Sequence, residues 1–157
     1  MERLIGIDPG RCGAVAVFEG SSLAAVHDMP TVTHRGKVRV DPGGCGVLLA
    51  SIAPTSAFVE RVGAMPGQGV VSMFNFGMAA GIILGALAAL RVPTTLVGAA
   101  QWKGALRCGV DDARERASQL IPDGARYWPL VKHDGRAEAA LIALYGVRIM
   151  HGDVVAW

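Results

Sequence analysis

Short apolar runs alternate with polar turns in the first part of the chain, and this pattern predicts strands. Residues 4–8 form an apolar run that ends in a carboxylate and is followed by Pro9 and Gly10, as at the end of a buried strand. Residues 13–18 and 23–29 continue the pattern. Because the turns between these runs are short, we expect the three strands to form an antiparallel meander.

The rest of the chain alternates between further strands and apolar helical segments. Residues 30–41 are polar and basic, and they predict a loop or a weak edge hairpin around 37–40. Strands are expected at 56–60, again ending in a carboxylate, and at 94–97. Helices are expected at 47–52, 72–90, 99–106, 111–120 and 135–147. The order of elements indicates a single α/β domain over residues 1–157, with a mixed five-stranded sheet flanked by helices.

Residues 70–90 carry no charge and are long enough to span a bilayer. Ser72, Asn75 and three glycines make the segment less apolar, and charged segments follow it. Two interpretations are open: a membrane span, or a helix buried in the core or in a dimer interface. We favour the second and expect no membrane partner.

Composition narrows the class of protein. Hydrophobic residues make up 52% of the chain, which predicts a packed globule and excludes a disordered chain. The three cysteines, at positions 12, 45 and 108, are odd in number and lack zinc-like spacing. A reducing, cytoplasmic location is therefore expected. The N-terminus leads directly into a strand, so no signal peptide is expected.

Four carboxylates are candidates for a catalytic metal site. Asp8 and Glu60 end apolar strands, where a buried charge is costly unless it is compensated. Asp134 and Glu138 are four residues apart and share one face of a helix. Mg²⁺ prefers such oxygen ligands, and two ions about 3.5–4 Å apart can support phosphodiester hydrolysis. The alternative is that each acid has a separate role as a turn residue, an N-cap or an ion-pair partner.

Three segments resemble the successive motifs of RuvC-type Holliday junction resolvases: residues 5–10 (IGIDPG), 58–60 (FVE) and 133–143 (HDGRAEAALIA). The resemblance covers nearly the whole chain and is closest to the compact versions typical of bacteriophages and organelles. The first motif also begins sugar kinases and actin-like ATPases, whereas the third is much more specific.

The resemblance implies an RNase H-like fold, a homodimer, and a crossover junction endodeoxyribonuclease that acts in DNA recombination and repair. It implies paired cuts across a four-way DNA junction that depend on Mg²⁺, for which Mn²⁺ substitutes, with two ions in each active site. A phage-encoded member would work in the host cytoplasm.

The resemblance also implies site residues. Asp8, Glu60 and Glu138 match family ligands directly. Bacterial members usually space the last two ligand positions three apart, where this chain has Gly135. We therefore expect Asp134 to complete the site and hold His133 in reserve, as a hydrogen-bonding residue behind the ligands.

The DNA-binding residues expected from the resemblance lie near these acids. Family members probe the junction centre with the loop after the Glu60 strand and the start of the next helix, where Phe74 and Phe76 lie. These phenylalanines are two residues apart and cannot share one helical face, so at least one is expected to point outward. An outward phenylalanine can stack on a DNA base, and the alternative is that both rings pack in the core. Trp102-Lys103 resembles a Trp-Lys element of the compact resolvases, and Lys103 is expected to contact phosphate or orient the attacking water, unless it is a plain surface lysine. Two interpretations are open for the remaining cations: they contact DNA phosphates, or they only form a solvated surface. These residues are Arg107, Arg114, Lys132 and Arg136.

Three other functions are compatible with parts of this sequence. An actin-like or sugar-kinase-like ATPase needs a second phosphate-binding motif and usually two domains, for which 157 residues leave no room. We therefore expect no nucleotide cofactor. A catalytically silent DNA-binding module of the same fold stays open. So does an RNase H-like nuclease acting on flaps, forks or RNA–DNA hybrids, because the acids specify hydrolysis and not the shape of the substrate.

Overall fold

The fold is taken from a computed structural model, which describes residues 2–153. Its strands, in chain order, are β1 (Arg3–Asp8), β2 (Ala14–Glu19), β3 (Ser22–Asp28), β4 (Thr31–His34), β5 (Lys37–Val40), β6 (Ser56–Glu60) and β7 (Thr94–Val97). Five of them form one sheet in the order β3-β2-β1-β6-β7. The first three are antiparallel neighbours, and β6 and β7 are added parallel to β1. The mixed five-stranded sheet and its antiparallel meander are thereby confirmed.

Helices cover both faces of this sheet. They are α1 (Pro42–Ile52), α2 (Val70–Ala89), α3 (Ala99–Leu106), α4 (Ala113–Leu120) and α5 (Asp134–Met150), with short 3-10 turns at Pro122–Tyr127 and Val131–His133. Helix α1 begins with proline in its first turn, and the Asp41 side chain accepts a hydrogen bond from the Gly43 amide at 3.1 Å. All five predicted helices are present, and their ends differ from the prediction by a few residues.

The segment between β3 and α1 forms a hairpin of its own. Among the described residues, strands β4 and β5 pair with each other and not with the main sheet, so a hairpin is present around residues 37–40 but is not an edge of that sheet. Arg35 and Gly36 connect the strands with φ values of 47° and 73°. Two successive positive φ angles are typical of the type I′ turn, whose twist matches that of a two-stranded ribbon.

Alternation along the central strands divides the core into two layers. Ile5 and Ile7 of β1 face α1 and α2, where they pack with Ile83 and Leu87. The opposite face is covered by α5, against which α3 and α4 pack, and this layer contains the fully buried Trp102. The sheet is therefore sandwiched between two helical layers.

Glycines allow α5 to lie directly against the sheet. A Cβ atom added at Gly6 of β1 would lie 2.7 Å from the Cα of Ala143 in α5. At Gly135 it would overlap the carbonyl oxygen of Cys12 and come within 3.1 Å of the Asp8 carboxylate. This close approach fixes the first turns of α5 beside the end of β1.

Helix α2 is less buried than expected for a core helix. Of its twenty residues only Ala79, Ile83 and Leu87 are buried, at intervals of four that face the sheet. By length and composition α2 could cross a membrane, but the core helix of a soluble protein can have the same length and composition. The remaining apolar surface of α2 is at least partly exposed in the single chain.

Candidate active site

Strands β1 and β6 deliver two carboxylates to the same edge of the sheet. They are parallel neighbours in which Ile7 pairs with Val59, so Asp8 and Glu60 occupy the next position on each strand. Gly6 and Phe58, two positions earlier, lie on the α5 side of the sheet. Because strand side chains alternate, Asp8 and Glu60 also point toward the α5 side.

Helices α5 and α3 contribute the next two charged groups. Glu138 lies just over one turn into α5, which passes beside Asp8 at Gly135. The Lys103 ammonium group of α3 lies 3.5 Å from a carboxylate oxygen of Glu138, and each of these side chains is about a quarter exposed. Lys103 therefore provides positive charge among the acids.

Neighbouring acids affect the ionisation of Asp8 and Glu138. Burial, followed by the charges of Glu138 and Glu60, raises the pKa of Asp8 well above its usual range. Burial also raises the pKa of Glu138, with Glu60 adding to the effect and Lys103 opposing it. The lysine thus offsets only part of the repulsion among the acids.

Trp102 holds Glu60 in place. The indole N–H of this fully buried side chain donates a hydrogen bond to Glu60 Oε2 at 2.7 Å. The Lys103 ammonium lies 5.2 Å from the centre of the Trp102 ring, within the range of a cation–π interaction. The sequence drew attention to the Trp-Lys pair but did not assign Trp102 a role. The available signal was that a buried tryptophan usually needs an acceptor for its N–H.

Asp134 and His133 lie at the margin of this group. Asp134 is largely exposed and accepts a hydrogen bond from Arg114 Nε at 2.7 Å. Its negative charge contributes to the raised pKa of Glu138. His133 Nδ1 accepts a hydrogen bond from the Leu130 amide at 3.2 Å. Desolvation, then the charges of Arg136 and Lys132, lower the pKa of His133. The choice between Asp134 and His133 as a metal ligand stays a prediction.

The donor set fits a hard divalent cation in its chemistry. Within residues 2–153, no three acidic, histidine or cysteine side chains are grouped as closely as in a preformed metal site. The donors are nevertheless carboxylate oxygens, which Mg²⁺ and similar ions prefer. The raised pKa values of Asp8 and Glu138 indicate that more positive charge than Lys103 provides would stabilise the ionised acids.

The two candidate phenylalanines have different environments. Phe74 is 67% exposed on α2, as expected for the residue that points outward. Phe76 is partly buried, with its ring 2.9 Å from where a Cβ atom would lie on Gly10. Phe76 therefore packs against the loop after Asp8, and of the two Phe74 is the better placed to meet a ligand.

The candidate phosphate-binding cations also differ in their environments. Arg107 and Lys132 are exposed, whereas Arg114 is engaged by Asp134. Arg136 donates two hydrogen bonds to Asp28, at 2.6 and 2.7 Å, and a third to the Tyr127 carbonyl at 2.9 Å. Arg136 thus ties α5 to β3, a role that the sequence did not indicate and that competes with phosphate contact.

The fold is similar to those of solved Holliday junction resolvases. RuvC from T. thermophilus in complex with a Holliday junction substrate superposes with a TM-score of 0.67 at 19% identity, covering 97% of each chain. A second Thermus thermophilus RuvC structure gives 0.65 at 21% identity over 96% of each chain. The yeast mitochondrial Holliday junction resolvase Ydc2 gives 0.61 at 14% identity, covering 94% of this chain and 79% of that one.

These similarities confirm the RNase H-like fold expected from the sequence. No protein-family model matches the sequence, and no curated protein has a significantly similar one.

Proposed function

We propose that this chain is a metal-dependent endonuclease that resolves four-way DNA junctions by paired cuts. The observation that carries the proposal is the convergence of Asp8, Glu60 and Glu138 from three separate elements at one edge of the sheet. The similarity of the fold, over nearly the whole chain, to a RuvC bound to a Holliday junction substrate supports the choice of substrate.

The carboxylates are the groups that would hold the metal. Asp8, Glu60 and Glu138 are the principal ligands and Asp134 the fourth, for two Mg²⁺ ions or Mn²⁺ in their place. Bound ions of this kind supply an activated water and stabilise the leaving oxygen of a phosphodiester. In the protein, Trp102 orients the Glu60 carboxylate through its indole N–H.

DNA binding in this proposal uses groups around the acids. Lys103 lies at the rim of the site, where its ammonium can contact the phosphate to be cut. Phe74, exposed at the start of α2, can stack on an unpaired base at the junction centre. Further phosphate contacts are assigned to Arg107, Arg114, Lys132 and Arg136.

A homodimer formed through α2 completes the proposal. The face of α2 opposite its buried residues is exposed and uncharged, and it consists of Val70, Phe74, Gly77, Gly81, Gly85 and Ala88. Its three glycines allow a second helix to approach closely. A four-way junction has near two-fold symmetry, so a two-fold dimer would place one active site on each of two opposing strands.

Cleavage of a synthetic four-way junction in Mg²⁺ tests the proposal. Wild type should leave symmetric nicks on opposing strands, and the substrate should be cut in preference to flaps, forks and RNA–DNA hybrids. Asp8→Asn and Glu60→Gln should each lower cutting by about a thousandfold or more while leaving junction affinity within a few-fold, since they remove metal ligands and not phosphate contacts. The matched control is Asp123→Asn, an exposed acid outside the site, which should cut at the wild-type rate.

Each contrary result has a distinct meaning. Wild-type cutting by Asp8→Asn or Glu60→Gln would show that these acids are not ligands. Junction binding without any cutting by wild type would identify a catalytically silent module. If wild type cuts another of these substrates in preference to the four-way junction, the protein is a nuclease but its substrate is not the one proposed.

A further inference from the structure

The β4–β5 hairpin has a cationic face that the proposed active site does not use. The register pairs Val32 with Arg39 and His34 with Lys37, so these four side chains lie on one face of the hairpin. All four are exposed. Within residues 2–153, neither Lys37 nor Arg39 makes an ion pair or a side-chain hydrogen bond.

The positive charge of this hairpin is not neutralised nearby. Residues 30–40 include no acid, and Arg35 in the turn adds a third cation. The first acids on either side are both engaged elsewhere, Asp28 with Arg136 and Asp41 with the N-terminus of α1. A cationic surface without acidic partners favours an anionic ligand.

A groove of about 740 Å³ separates the hairpin from α2. Its lining combines cations with apolar and amide side chains, including Arg11, Val32, His34, Arg39, Asn75 and Phe76. Arg11 is exposed and lies only three residues after Asp8. The groove therefore connects the cationic hairpin with the loop that follows the catalytic strand.

The mixed lining suits a nucleic acid strand, which presents phosphates together with apolar sugars and bases. Lys37 and Arg39 are two positions apart on one strand, about 7 Å by the strand rise, so each can meet a different phosphate. The tight two-residue turn holds the face in one shape, which lowers the entropy lost on binding.

We infer that Lys37 and Arg39 of the hairpin, together with Arg11, bind the phosphate backbone of one DNA strand of the branched substrate and lead it toward Asp8. The inference rests on the proposed function for the identity of the substrate. A second copy of this chain is a poorer occupant, because symmetric contact through this face would bring like charges together.

The test is the salt dependence of binding to a synthetic four-way junction, measured by fluorescence anisotropy without divalent cations. Lys37→Thr/Arg39→Thr removes both charges and keeps residues that favour strands. It should lower the slope of log Kd against log salt by about two and weaken binding on the order of tenfold at 0.1 M salt. Arg11→Gln, which leaves the hairpin unchanged, should lower the slope by about one.

Two control variants separate charge from position. Lys37→Arg/Arg39→Lys keeps the charges and should keep the wild-type slope. Arg91→Asn/Arg148→Gln removes two charges just before β7 and near the end of α5, at the opposite edge of the sheet from Asp8. It should also keep the wild-type slope.

The outcomes distinguish this inference from the proposed function. Wild-type slopes in both the hairpin double variant and Arg11→Gln would overturn the inference even if wild type cuts junctions. If the hairpin double variant and Arg11→Gln reduce the slope but wild type does not cut junctions, the inference is supported and the proposed nuclease activity is refuted. A hairpin variant that changes the sedimentation coefficient, with no change in slope, would identify the face as a protein interface and overturn the inference.

Discussion

The Asp8 carboxyl group is costly to ionise in the metal-free protein. Its folded-state pKa lies above the unfolded value of about 3.9, mainly because of burial and then because of Glu138 and Glu60. The stability contributed by the protonated form is therefore fully present below the unfolded pKa and lost as pH rises through the folded pKa. Above the unfolded pKa, Asp8 should therefore contribute less stability to the fold as pH rises.

Asp8→Asn should consequently stabilise the metal-free protein at pH 7 and raise its Tm, since asparagine carries no charge to desolvate. The difference should vanish below about pH 4, where Asp8 is protonated in both states. Thermal unfolding in a chelator, across a pH series, measures it. Mg²⁺ should raise the Tm of wild type and reduce the difference, because ligand binding stabilises the folded state.

Asp123→Asn is again the control, because Asp123 is exposed and its replacement should leave Tm nearly unchanged at every pH. An Asp8→Asn variant that is less stable than wild type at pH 7 in chelator would contradict the electrostatic account of the site.

Local sequence pattern draws attention to the acids but not to the residues that contact them. Asp8 and Glu60 stand out because each ends an apolar strand, and Glu138 because it opens an apolar helix. The hydrogen bond from Trp102 to Glu60 joins residues 42 positions apart, and the one from Arg136 to Asp28 joins residues 108 apart. Local pattern carries no information on such partners, because tertiary packing alone brings them together.

Among the elements, α5 positions the candidate site because glycine lets it lie against β1, the strand that ends in Asp8. Gly135→Ala should push the first turn of α5 away from the Cys12 carbonyl and from Asp8, because backbone cannot move aside as a flexible side chain can. We expect a loss of about 1–3 kcal/mol in the free energy of unfolding, as for overpacked cores. Junction cutting should fall further than this loss of stability explains, because Glu138 moves with the helix.

Gly104→Ala is the matched control for this prediction. Gly104 is an exposed glycine within α3, with no atom near its missing Cβ, so alanine there should stabilise the helix by about 0.5–1 kcal/mol. Urea unfolding of both variants measures the contrast. Equal stability of Gly135→Ala and wild type, with equal cutting, would show that the tight contact at Gly135 does not position Glu138.

The sequence pattern predicted where the helices and strands lie, but not which neighbours surround each of them. The helices were expected from their apolar segments, and the predicted start of α1, at residue 47, lies five residues after the observed start at Pro42. Helix α2 has no charged residue on any face, so its sequence could not reveal which side meets the sheet. For residues 30–41 a loop and an edge hairpin both stayed open, because four-residue strands such as β4 and β5 carry too little pattern to specify a partner strand.

For the whole molecule, the exposed face of α2 is the strongest indication of a partner. A twenty-residue helix without charge leaves apolar side chains such as Val70 and Phe74 in water, and isolated folded chains rarely expose contiguous apolar surface of this kind. A bilayer would also cover it, but a second copy accounts in addition for the row of exposed glycines. The paired cuts that we propose would require the same symmetry.

Gly81→Leu tests the dimer at the centre of this row. Gly81 is exposed with no atom near its missing Cβ, so the single chain accommodates leucine, whereas two closely packed helices cannot. Sedimentation at micromolar concentration should give a dimer for wild type and for Gly104→Leu, and a monomer for Gly81→Leu. On a four-way junction, Gly81→Leu should leave single nicks where wild type leaves pairs. A wild type that sediments only as a monomer, or a Gly81→Leu variant that still cuts in pairs, would remove α2 as the interface.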